Sequence, residues 1–297
     1  RIVAGNNAEI SYAGDNDDDG WGDVSSFTDE DSSPWGWLWM SQKIDRTGEA
    51  SYTKYGTKAT IIKYENNKNV LIEFDDEYKY RYYVSYINFK NKMIANPYDR
   101  SVYKIGYLGE YQKFINKTSK DSLNKAMGIW HHMLRRCYAN DGSEKVRSYI
   151  GCSVDKQWHC FKNFAEWYLK NDYPLQSEKM CIDKDILIHG NKIYSADNCL
   201  LVPNRINSLF AKSGIIRGNL PIGVSYYWYD NSKYLASMKI GDKKHYQIGI
   251  FDNVTNAFYA YKQAKEAYIK VVADLYKHIV PEKVYNALYN YEVLITD

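Results

Sequence analysis

The chain of 297 residues has no CxxC pair among its five cysteines, Cys137, Cys152, Cys160, Cys181 and Cys199. An odd, scattered set of this kind supports neither a zinc ribbon nor a disulfide framework, and it reads as buried free thiols. No apolar run approaches the roughly 20 residues of a membrane span, and the start of the sequence lacks the basic-then-apolar layout of a signal peptide. The expectation is a cytoplasmic protein with no membrane partner and no small-molecule cofactor. Basic residues are almost missing from positions 1–39, where Arg1 stands alone against nine acids, a balance of −8.

The rest of the chain therefore carries 38 bases against 27 acids, a net +11. A body that basic and holding most of the 30 tyrosines suits a polyanion, because neutralising phosphates drives sequence-independent binding. Double-stranded DNA is the expected partner, and a solvated basic surface is the plain alternative. With 45% hydrophobic and 25% charged residues, the composition is that of a globular protein long enough for two or three small domains.

Four segments follow from the pattern, and together they predict a multidomain α+β chain. Residues 1–39 are an acidic, Gly/Ser/Asp-rich stretch ending in "PWGWLW"; Met40 then opens "MSQKIDRTGE", which resembles a translation start. The stretch reads as an appended piece or as an acidic arm shielding the basic body. Over 40–110, "ATIIKY", "VLIEF" and "YKYRYYVSYINF" are β-rich runs separated by turns, predicting a small all-β module. Over 111–215 the period changes. "LNKAMGIWHHMLRRCY" spaces Met127, Trp130, Leu134 and Cys137 as one helical face, and "WHCFKNFAEWYLK" does the same with Trp158, Phe161, Phe164 and Trp167. Over 216–297, three alternating strands, "IGVSYYWY", "KYLASMKI" and "KHYQIGIF", precede a long helix carrying Phe258, Tyr261 and Ala264.

Between the central helices and that last unit lies "CIDKDILIHGNKIYSADNCLLVP", residues 181–203. It predicts strand "CIDKDILI", turn "HGNK", strand "NCLLV" and a helix over "NRINSLF" opened by Pro203. On a regular strand Asp183 and Asp185 point to one face and Lys184 to the other, so the two acids could bind a hard cation such as Mg²⁺ through oxygen.

Together "WHHMLRRCY", "IGCSVDKQWHCFKNFAEW", "IDKDILIHGNKIYSADNCLLVPNRIN" and "IGVSYYWY…YLASMKIG…IGIFDNVTNAFYAYKQAKE" resemble phage-borne HNH-type homing endonucleases with a C-terminal AP2-like DNA-binding domain. The resemblance covers roughly residues 105–280. It implies a ββα metal fold and DNA nicking or cleavage with Mg²⁺ or Mn²⁺. Carried over, Asp183 is the acidic ligand, Asn198 the central asparagine and Asn207 the helix ligand; strand alternation, not the resemblance, adds Asp185 at the metal. Lys184 falls where the family has its histidine base. A lysine at its ordinary pKa stays protonated near neutrality, so it could hold the scissile phosphate, with Asp185 or His189 as replacement base. A catalytically inactive relative that binds DNA, or a host or phage protein, as a regulator or counter-defence factor is the competing reading. His131 and His132 are further candidates for a base or metal ligand.

For DNA, the resemblance implies a sheet lying in the major groove. Its nominees are Arg217, Tyr226, Trp228, Lys233, Lys239, Lys243 and Lys244, with Arg135 and Arg136 on the first central helix and Arg205 on the helix closing the ββα unit.

Overall fold

Alternation of apolar residues builds the first sheet of the computed structural model, which describes residues 44–114, 118–139, 149–173, 175, 178–210, 219–241 and 244–297. Strands β1 (Ala50–Tyr52), β2 (Lys58–Asn66), β3 (Asn69–Phe74) and β4 (Arg81–Val84) form an antiparallel meander in chain order. Ala59, Ile61, Val70, Ile72 and Phe74 point to one buried face, closed by Phe89 and Ile94. The β-rich run "YKYRYYVSYINF" does not stay extended. Ser85 accepts a hydrogen bond from Asn88 N and caps a short helix, α1 (Tyr86–Lys90), which delivers Phe89 to that core.

The central region begins with α2 (Lys120–Tyr138), followed by β5 (Ser153–Val154) and α3 (Phe161–Asn171). As the 3.6-residue spacing requires, α2 and α3 bury Trp130, Leu134, Phe161 and Phe164 together, while Met127, Cys137 and Trp167 pack at the border. Trp130 Nε1 donates to Trp158 O at 2.7 Å, so the largest core side chain keeps its polar atom satisfied. Gly106 presses on this layer from the loop before α2: a Cβ there would lie 2.5 Å from Leu134 Cδ1.

Strand β6 (Met180–Asp183) pairs antiparallel with β8 (Leu200–Pro203), and α4 (Asn204–Leu209) follows directly. This is the hairpin-and-helix order read from the sequence, with two differences. The first strand stops at Asp183 rather than running to Ile188. Strand β7 (Ile193–Tyr194) leaves the hairpin and pairs in parallel with β5, tying the 184–199 connection to the α2–α3 layer.

Strands β9 (Val224–Tyr227), β10 (Asp230–Ile240) and β11 (Lys244–Phe251) form an antiparallel sheet with β10 in the middle. Asn253 caps α5 (Val254–Tyr276), its side chain accepting from Thr255 N at 2.7 Å and Asn256 N at 3.3 Å. The helix serves two cores. Ala257, Phe258 and Tyr261 lie on Val224, Ala236 and Met238 of the sheet. Further along, Ile269, Val272, Ala273 and Tyr276 pack with Ile186, Leu200, Val202 and Ile206 of the hairpin region and with Val284 and Leu288 of α6 (Glu282–Tyr289). The described residues are thus a mixed α+β chain with several small sheets and six helices, and Asp45–Asp297 forms one compact unit. No described helix is long and apolar enough to cross a membrane. The acidic segment 1–39 lies outside the described residues.

Candidate functional site

The 183–191 turn organises itself around its own polar groups. Asp183 Oδ1 accepts from the backbone N–H of Asp185 and of Ile186, both at 2.8 Å, and this pair of hydrogen bonds bends the chain out of β6. Burial pushes the Asp183 carboxyl above the ordinary aspartate range, although those two amides pull the other way. Lys184 is only 7% exposed. Its Nζ donates to both Asp185 oxygens, at 2.8 and 2.7 Å, and to Asn191 O at 2.7 Å. Asn191 returns the bond, Nδ2 to Lys184 O at 2.9 Å, and also donates to Ile193 O at 2.8 Å. The turn so fixed places Ile186 in the core under α5.

Strand alternation therefore does not extend past Asp183. Lys184, expected to point away, is the buried centre of the turn. A divalent cation does not fit this donor set: one Asp183 oxygen is held by two amides, and both Asp185 oxygens face the Lys184 amine in an ion pair. Nor are three or more His, Cys, Asp or Glu side chains grouped to hold a metal ion anywhere among the described residues.

Several of the remaining nominees have defined neighbours, and Asn198 and Asn207 are held through backbone atoms. His189 Nδ1 lies 3.3 Å from Asp297 Oδ1, and its ring packs against Tyr291, centroids 4.7 Å apart. Burial, with Asp297, Asp183 and Asp185 nearby, raises the Tyr291 phenol. Asn198 N donates to Ser195 Oγ at 3.3 Å, and Asn207 O accepts from Phe210 N at 3.2 Å, closing α4. Arg136 turns inward, its guanidinium 5.1 Å from the centre of the Tyr149 ring, whereas Arg135 is exposed. Exposed Arg205 interacts with Tyr276, whose phenol donates to Glu178 at 2.5 Å. His131 and His132 are exposed on α2, and the His131 ring lies 5.1 Å from Tyr103. Although the residue is exposed, partial desolvation of its ring lowers the His131 pKa, with His132 and Arg135 adding to the effect.

The three-stranded sheet separates its faces by register. Residues directly opposite each other across strands share a face. Val224, Ala236 and Met238 look at α5. The other face carries Ser225, Leu235 and Ile250 in one row, Ser237 and Gln247 in the next, and Lys239 with His245 in the third. A bulge between Ala236 and Ser237 leaves Ile248 over to the helix side and keeps these rows aligned. Apart from buried Leu235 and half-buried Ser237, the rows are solvent-exposed.

Tyr226 belongs to the opposite face: it pairs with Tyr234, ring centroids 5.6 Å apart, at the rim of the helix side. Trp228 stands at the β9–β10 turn, 58% exposed, beside Tyr229. Lys233 is 3.6 Å from Asp252. Lys244 opposes Ile240, and Arg217 and Lys243 lie outside the described residues. Ser225, Ser237, His245 and Gln247 were not singled out by sequence reasoning. Their alternation is visible in "VSYY" and "KHYQ", but the register that aligns them with Lys239 depends on the bulge. No family model matches this chain, and neither a curated protein nor a solved structure matches it.

Proposed function

We propose that the chain binds double-stranded DNA through the open face of its C-terminal sheet. In this reading the ββα unit is the scaffold that carries the sheet's helix, not a cleavage centre. The observation that supports binding is the set of three cross-strand rows, Ser225–Leu235–Ile250, Ser237–Gln247 and Lys239–His245, on the face α5 leaves uncovered. Three strands about 4.8 Å apart present a face about 10 Å wide, which matches the roughly 12 Å major groove. Gln247 can pair with an adenine edge, the serines with either base edge, and Lys239 with phosphate or guanine. The net +11 of residues 40–297 supplies the phosphate attraction.

The scaffold half of the reading rests on the turn. Lys184, where the resembling nucleases carry their base, is consumed by Asp185 and Asn191 and holds Ile186 under α5. General-base work would need a free lone pair within reach of water, and this side chain is buried and donates three hydrogen bonds. The test is a duplex-binding assay run beside plasmid nicking in Mg²⁺, Mn²⁺ and EDTA. Saturable binding with equal, background nicking in all three supports the proposal. Metal-dependent nicking by the wild type would restore the HNH-type nuclease reading, and absence of DNA binding would remove the proposal altogether.

A further inference from the structure

A second site stands in the N-terminal module, away from the sheet face and independent of the DNA reading. Tyr55, Tyr78, Tyr98, Asp99, Arg100 and Lys104 are among the residues around an open cavity of ≈460 Å³, within the size range of small-ligand pockets.

Its walls are unusual in chemistry. Tyr78 and Tyr98 stack with centroids 3.8 Å apart and planes 4° apart, and Tyr107 tilts against both at 6.1 and 6.0 Å. Their hydroxyls are tied back: Tyr98 OH donates to Glu110 at 3.1 Å, and the Tyr78 and Tyr107 oxygens are 3.3 Å apart. Burial raises the Tyr98 phenol to about 12 and raises Tyr107 as well, so both rings stay neutral. What the cluster offers a ligand is ring faces, which attract cations.

The carboxylates point the same way. Asp99 is 7% exposed; its Oδ1 accepts from Thr57 Oγ1 at 2.5 Å, and its Oδ2 has no hydrogen-bond partner. A buried carboxylate oxygen without a donor costs free energy and is rare in native proteins, so it calls for an occupant that supplies positive charge or N–H groups. Asp76 is already saturated by Tyr78 N, Lys79 N and Asn96 Nδ2, whereas Glu77 is exposed at the mouth. Arg100 and Lys104 are exposed and stand at the rim.

We infer that this pocket binds an organic monocation, a guanidinium or an alkylated ammonium, against the Tyr78 and Tyr55 rings and the Asp99 carboxylate. The Tyr78 ring, the unpartnered Asp99 oxygen and exposed Glu77 favour a cation over an anion, because only a cation gains from both ring face and carboxylate. The source is either a small molecule or an arginine or methylated lysine on a partner protein.

The test uses the full chain in calorimetric titrations with N-acetyl-arginine amide, tetramethylammonium, a glycine-flanked arginine pentapeptide and sodium sulfate. The cation probes should bind saturably, and Tyr78→Ala or Asp99→Asn should weaken them roughly tenfold or more. Tyr78→Phe, which keeps the ring, should bind like the wild type, and this variant separates loss of the pocket from loss of folding. Tighter binding of the pentapeptide identifies a protein source; equal binding of peptide and amide identifies a small cation. No binding by any cation, binding of sulfate alone through Arg100 and Lys104, or cation binding unchanged in both Tyr78→Ala and Asp99→Asn would overturn the inference.

Discussion

Lys184→Met removes one amine and leaves most of the aliphatic stem, so it isolates the polar lock of the acidic turn. Three hydrogen bonds disappear, two to Asp185 and one to Asn191 O. Asn191 O is left without that donor in a part-buried setting, which costs about 1–2 kcal/mol. The Asp185 side chain is 39% exposed, so water screens the lost ion pair and its share is about 0.5–1 kcal/mol. The sum is about 1.5–3 kcal/mol, or about 3–12 °C in Tm for a unit of this size. Thermal unfolding followed by circular dichroism measures it directly. Asp185→Asn, which leaves the buried Lys184 amine without its carboxylate partner, should lose at least as much. Lys184→His, the substitution that would restore a nuclease base, should also destabilise, because imidazole is too short to reach both partners, and it should create no Mg²⁺-dependent nicking. A Tm for Lys184→Met within a degree of wild type would refute the structural role of the lysine.

Asp183→Asn can still accept from the amides of Asp185 and Ile186 and should be close to neutral at pH 7, whereas Asp183→Ala should lose about 1–3 kcal/mol in urea unfolding because both amides lose their acceptor. The Asp183 carboxyl is raised in the folded state, which therefore holds its proton more tightly than the unfolded chain. The wild type should gain stability relative to Asp183→Asn as pH falls through the raised value towards about 3.9, and a pH series of unfolding midpoints checks that sign. Gly223→Ala should lower Tm by several degrees, since Gly223 has φ +77° and a Cβ would sit 2.0 Å from Tyr261 Cδ2. Deleting residues 1–39, with their balance of −8, should tighten duplex binding at low salt and change little at high salt; equal affinity at both would make that segment inert towards DNA.

Helical periodicity carried the α2 and α3 core, because Trp130, Leu134, Phe161 and Phe164 are large apolar residues whose spacing admits one buried face. The three strands and long helix of the last unit were legible for the same reason: β10, β11 and α5 alternate or repeat cleanly between turn residues. Two kinds of feature escaped. Helix α1 lies in "YINF", where β propensity is high but the Ser85 cap prevails. The acidic turn reads as strand because three polar residues, Asp183 to Asp185, are flanked by Cys181–Ile182 and by the β-prone run Ile186–Ile188. The Asp183 side chain competes with the sheet for backbone N–H groups, and that local competition ends β6 early. Residues on the open sheet face were half visible: alternation separates Ser225 from Tyr226, but only the bulge in β10–β11 pairing puts Gln247 and His245 beside Ser237 and Lys239.

The most direct measurement of the central proposal is duplex-DNA affinity as a function of salt for the full chain and for Lys239→Glu, read by fluorescence anisotropy. Each phosphate neutralised contributes about −0.9 to the slope of log affinity against log salt. A sheet face lying in the groove predicts a steep negative slope for the wild type. It also predicts that Lys239→Glu binds at least about tenfold more weakly at low salt, with a slope shallower by about 1–2. A flat salt response, or identical curves for the two proteins, would contradict DNA binding through this face.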